Sequence, residues 1–194
     1  DLFGLYYLGD PKMVEIGLIP TTDLAKAQYA DYIMNGMMTQ FSRIELGKNV
    51  EEAHMRNRKL IAQWCYEKGK KDNVIEWVKQ DGKSYIVVND FEALRKLFGE
   101  LLKEVQRIKS TGDYKAGRKL VEDYAVKIDY DLHKEVLERY KKLNLEPYSG
   151  FVNPDYELVE KEGEIVDVKL IYKTDYVEQM LHSSKEWSFL PSIN

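Results

Sequence analysis

Ala30, Ile33, Met34, Met37, Met38, Phe41 and Ile44 recur every three or four residues, and the same period returns down the chain as far as Leu143. A pattern of that kind restricts the chain to a largely helical fold, because only a helix brings those positions to one face. The first such stretch follows the Pro20-Thr21-Thr22 break and predicts one long amphipathic helix ending near Gly47. Asn49 and Glu52 stand in capping-box positions and open a helix that runs to about Gly69. Asn89 and Glu92 repeat the box ahead of Leu94, Leu97, Phe98, Leu101, Leu102 and Val105. Two more helices are predicted at about 114–127 and 131–143, and Asp175 with Glu178 caps a last short one. Upstream, Leu2 to Leu8 is an apolar helical run, and Asp10-Pro11 starts a short helix stopped by Gly17.

Two interruptions have the strand period instead. Val74 to Val78 and Ser84 to Val88 flank Asp81-Gly82, a dipeptide suited to a tight hairpin turn. Tyr156 to Glu160 and Ile165 to Tyr172 form a second such pair, turning near Glu162-Gly163. Between the last long helix and this hairpin, Asn144 to Pro154 contains Pro147, Gly150 and Pro154 and is expected to be loop. The expected architecture is mostly α with two β-hairpin insertions, built as a single unit over residues 1–194.

With 44% hydrophobic residues the chain can bury a core. Its charged residues are of mixed sign and sum to −4, which provides no basic surface for nucleic acid. No apolar run approaches the ~20 residues of a membrane span. Cys65 is the only cysteine, so no internal disulfide can form, and a reducing, cytoplasmic setting fits. Asp1 is not an initiator Met, and the apolar run behind it has the character of a helix interior, so further sequence is expected upstream.

No complete catalytic constellation is present. His54, His133 and His182 are the three histidines, and none belongs to an H-E-x-x-H pattern that would place two imidazoles on zinc beside a general-base Glu. His133 begins a charged amphipathic helix and is expected on its solvated face. His182 ends the last helix, where a cation complements the dipole. His54 has different company. His54 and Arg58 are one turn apart on a face continued by the apolar Ile61 and Cys65. A helix that is buried at one end and presents a His and an Arg at the other has the form of a cleft wall. There the imidazole could donate to a developing oxyanion and the guanidinium could clamp carboxylate or carbonyl oxygens. By spacing alone, a polar first turn in solvent is the commoner use of such residues.

The run Glu51-Glu52-Ala53-His54-Met55-Arg56-Asn57-Arg58 closely resembles the A-H-M-x-x-R segment of the dipeptidyl peptidase III family, bacterial type. Asp1-Leu2-Phe3-Gly4-Leu5-Tyr6 resembles the end of the family's E-E-x-R-A-[ED] motif and the apolar run behind it. Asp10-Pro11-Lys12-Met13-Val14-Glu15, Asn35-Gly36-Met37-Met38-Thr39-Gln40 and Gly112-Asp113-Tyr114 follow in family order. The resemblance implies a carboxy-terminal fragment of a two-lobed zinc peptidase that releases dipeptides from the amino termini of oligopeptides. The fragment would be the helical part of the zinc-bearing lobe. Zinc would polarise the scissile carbonyl and activate water. Its His and Glu ligands and the catalytic Glu would lie upstream of Asp1, so no metal ligand and no activity are expected in the fragment itself. His54 would act on the scissile region, Arg58 would hold the peptide, and Asp1 would orient a ligating imidazole from behind. Lys141 and Lys142 fall near a basic pair that touches substrate in eukaryotic members, but they are offset from it. The implied partners are an oligopeptide and the rest of the same polypeptide, with self-association through Leu2 to Leu8. The alternatives are a helical interaction scaffold without catalysis and another hydrolase sharing this lobe.

Overall fold

The computed structural model describes residues 1–143, 154–171 and 176–189. They fall into two compact units, Asp1–Asn144 and Leu145–Asn194. The first contains α1 (Leu2–Leu8), α2 (Lys12–Glu15), α3 (Thr22–Met37), α4 (Ala53–Lys68), the strands β1 (Ile75–Gln80) and β2 (Lys83–Val88), then α5 (Phe91–Thr111), α6 (Tyr114–Tyr124) and α7 (Tyr130–Leu143). The second contains β3 (Asp155–Lys161), β4 (Glu164–Ile171) and α8 (Tyr176–Glu186). The fold is therefore mostly α with two antiparallel hairpins, as the periodicities require. Asn144 to Asn153, Tyr172 and Asp175, which the sequence placed in a loop, a strand and a cap, lie outside the described residues.

The larger of two hydrophobic clusters in the first unit joins α1, α3, α4 and α5, and a smaller one gathers Met38, Phe41, Val50 and Val136. Leu2 and Leu5 of α1, Tyr29, Ile33 and Met37 of α3, Ile61, Ala62 and Cys65 of α4, and Leu94, Phe98 and Leu101 of α5 are all buried in the larger one. The inner face of α1 is thus covered by its own chain, while Phe3 remains 65% exposed. In β1 and β2 the register pairs Ile75 with Val88 and Gln80 with Lys83. Asp81 and Gly82 turn the hairpin with φ of 51° and 72°, the left-handed geometry that matches strand twist.

Three local expectations need correction. The long helix after Pro20 stops at Met37. Met38 takes φ −142° and ψ −67°, and a short 3-10 turn over Thr39–Arg43 replaces the continuation. The break has a visible cause: Gln40 spends its side-chain amide on Gly36 O at 3.0 Å, the carbonyl its own backbone N–H would have taken. The caps shift by a few residues as well. Glu52 itself caps α4, and Asp90, not Asn89, caps α5 through Ala93 N–H. Finally, His133 is not on a solvated face. It is 1% exposed, and its Nε2 stands 3.1 Å from both Phe41 O and Ile44 O. Carbonyls only accept, so Nε2 carries the proton and ties α7 to the turn after α3. A polar ring able to satisfy two loop carbonyls is worth burying in a way that its charged sequence neighbours hide.

Candidate active site

The first turn of α4 is built by Glu52. Its carboxylate accepts from His54 N–H at 2.9 Å and Met55 N–H at 2.8 Å, satisfying two amides that no helical carbonyl can reach. Those two amides, His54's first, hold the Glu52 carboxyl below the usual carboxylate range. The arrangement sends the chain into α4 with His54 exposed and Arg58 half-buried one turn later. Neither side chain has a hydrogen bond or ion pair among the described residues, so both retain their donors.

Two features of α3 hold this turn in place. Gly36 lies where the helices cross, and a Cβ on it would stand 2.6 Å from Arg58 O and 2.7 Å from the Ala62 Cβ. Only glycine permits that approach, so Gly36 sets how near the backbone of Arg58 comes to α3. Gln40 then clamps the pair: its amide nitrogen donates to Gly36 O and to Met55 O at 3.1 Å. The Asn35-Gly36-Met37-Met38-Thr39-Gln40 segment thus acts as the packing seat of the His54–Arg58 turn.

Asp1 joins the same place. Its Oδ2 accepts from Tyr32 O–H at 2.9 Å and from Asn57 Nδ2 at 2.6 Å. Asn57 directly precedes Arg58, so the start of α1 is tied to the α4 turn through one carboxylate oxygen. Burial pushes the Tyr32 hydroxyl well above its ordinary pKa, with the nearby Arg58 cation opposing. The phenol therefore stays a neutral donor to Asp1. Asp1, Tyr32 and Asn57 form one hydrogen-bonded cluster, with Arg58 next to Asn57 in the chain and His54 a turn before it on α4. Tyr32 carries no signal in the sequence, whereas Gln40 and Asn57 lie inside the motif segments.

The other sequence candidates lie elsewhere. Lys141 and Lys142 are exposed on the last turn of α7, where they complement the helix dipole. Arg139 of the same stretch is structural: it donates to Ser84 O at 2.6 Å and pairs with Glu135 at 3.1 Å. His182 stands 3.5 Å from Glu186 within α8. Among the described residues no three His, Cys, Asp or Glu side chains converge on a point that could hold a metal ion. Nor is any described helix long and apolar enough to cross a membrane.

Among curated proteins none matches the chain. The pattern of Peptidase family M49 matches it over residues 1–185, which includes every motif segment and the whole His54–Arg58 turn. The chain belongs to that family, the peptidases of the dipeptidyl peptidase III kind.

Proposed function

We propose that this chain supplies peptide-holding side chains to a zinc-dependent dipeptidyl peptidase that removes dipeptides from the amino termini of oligopeptides. The observation that carries the reading is the tie from Asp1 to Asn57 and Tyr32, which draws the start of α1 to the α4 turn where His54 and Arg58 have no hydrogen-bond partner among the described residues. His54 would donate to the oxygen that gains charge as the scissile carbonyl is attacked. Arg58, next to the anchored Asn57, would hold peptide carbonyl or carboxylate oxygens in a planar fork. Asp1 has Oδ1 left over from its two hydrogen bonds and would orient an imidazole that binds zinc. The metal ligands would come from the polypeptide preceding Asp1, so the chain of residues 1–194 would by itself hold no tight zinc and cleave no peptide.

The test is made in the complete enzyme. His54→Ala should lower kcat about a hundredfold by removing a transition-state hydrogen bond. Arg58→Ala should raise KM more than it lowers kcat. Both should melt within a few degrees of the parent, because neither side chain is in the packed half of α4. Normal turnover by the His54→Ala enzyme would refute the assignment, as would a large stability loss with unchanged kinetics in the folded fraction.

A further inference from the structure

Lys59 follows Arg58 on α4 and turns into the protein instead of the candidate cleft. Its residue is 5% exposed. Buried ammonium groups are normally paired with a carboxylate, since an uncompensated charge is costly away from water. Lys59 has no such partner among the described residues. Its Nζ donates to Tyr124 O at 3.2 Å, and two of its three protons are left without an acceptor. Burial lowers its pKa to about 8, with Glu67 acting weakly in the other direction.

Lys59 lines a cavity of about 420 Å³ bounded by the end of α3, α4, the β1–β2 hairpin and the start of α7. Met37, Phe41, Trp77 and Ile128 form its apolar wall. The carboxylates on the wall are largely committed. Glu135 accepts from Ser84 N–H and Oγ–H at 2.7 Å each and pairs with Arg139. Asp129 caps α7 through Leu132 N–H at 2.9 Å. The lysines Lys59, Lys79 and Lys127 equal Asp129, Asp131 and Glu135 in number on this wall, but Lys79 and Lys127 are exposed, and Lys59 is the buried one whose ammonium has no carboxylate partner among the described residues.

We propose that this cavity is a binding site for a small organic carboxylate with an aromatic or branched aliphatic body. The carboxylate accepts from Lys59 Nζ, and the body lies against Trp77, Phe41 and Met37. Such a ligand supplies the acceptor that Lys59 lacks, and a pocket of this size suits a small molecule. The site is independent of the peptidase reading, since it uses neither His54 nor Arg58.

Phenylacetate and its uncharged analogue phenylacetamide are the probes, titrated into the 194-residue chain in carboxylate-free buffer. Binding is followed by the Trp77 indole N–H and the Met37 methyl resonances. Phenylacetate should bind about tenfold more tightly than the amide near neutral pH, the discrimination expected of one charge-assisted hydrogen bond. The preference should fade as pH rises above about 8 and Lys59 loses its proton. Lys59→Met should abolish the preference while leaving the weak binding of the amide. Equal affinities, no saturable phenylacetate binding, shifts confined to Trp64 or Trp187, or a preference that survives in Lys59→Met would each overturn the proposal. If the variant fails to fold, the pH dependence in the unaltered chain decides the matter.

Discussion

Lys59→Met should make the protein more stable, and by an amount that depends on pH in a defined direction. Burial lowers the Lys59 pKa from 10.5 to about 8 in the folded chain, while the unfolded chain retains the ordinary value. Below the folded pKa both states carry the charge, and the folded state bears the whole cost of holding it out of water. Above 10.5 both states are neutral and the cost is gone. Between these limits the unfolded state binds more protons, so stability rises with pH. At 1.36 kcal/mol per pKa unit the full difference is about 3 kcal/mol, of which about 2 kcal/mol is recovered between roughly pH 7.5 and pH 10. Methionine matches the length of the lysine stem and can fill the same space without a charge. Urea unfolding of both chains at several pH values in that range, in carboxylate-free buffer, gives the difference directly. Subtraction cancels the buried tyrosines Tyr29 and Tyr32 and the buried Cys65 thiol, whose raised pKa values act oppositely at alkaline pH and are common to both chains. The Met chain should be the more stable near neutrality, with the advantage shrinking towards alkaline pH. A stability difference that stays flat across the range would show that Lys59 is not desolvated and would refute the reasoning.

Gly36→Val should cost about 2–3 kcal/mol, because the new side chain must displace the backbone of Arg58; chemical denaturation measures it, and a neutral result would mean that α3 and α4 do not cross there. His133→Leu should cost about 2 kcal/mol by leaving Phe41 O and Ile44 O without their donor, and hydrogen exchange should show α7 opening more readily. Tyr32→Phe should cost about 1 kcal/mol through the lost Asp1 hydrogen bond, read from the urea midpoint; a cost of zero would mean that Asn57 alone holds Asp1.

Much of the architecture was legible in the sequence. Periods of 3.6 and 2 are imposed by burial of one face, so the run from Leu94 to Val105 could only be a helix with Leu94, Phe98 and Leu101 inward. Asp81-Gly82 between two β-rich runs could only be a hairpin turn, since few dipeptides tolerate two successive positive φ angles. His54 and Arg58 were legible as a pair because a single turn of helix places them on one face. What the sequence could not determine was anything that depends on a partner distant in the chain. The helix through Met38 breaks because Gln40 finds Gly36 O and Met55 O together, and Met55 belongs to another helix. His133 is buried because two loop carbonyls ninety residues away need a donor, although its own neighbours are charged. Asp1 reaches Asn57 and Tyr32 only once α1, α3 and α4 are packed. Lys59 directly follows Arg58 in a charged run with no local feature that marks it as buried, and only the assembly of α3, α4, the first hairpin and α7 closes a pocket over it. Local periodicity is written in the chain itself, whereas the state of a polar side chain is set by whichever groups the fold brings to meet it.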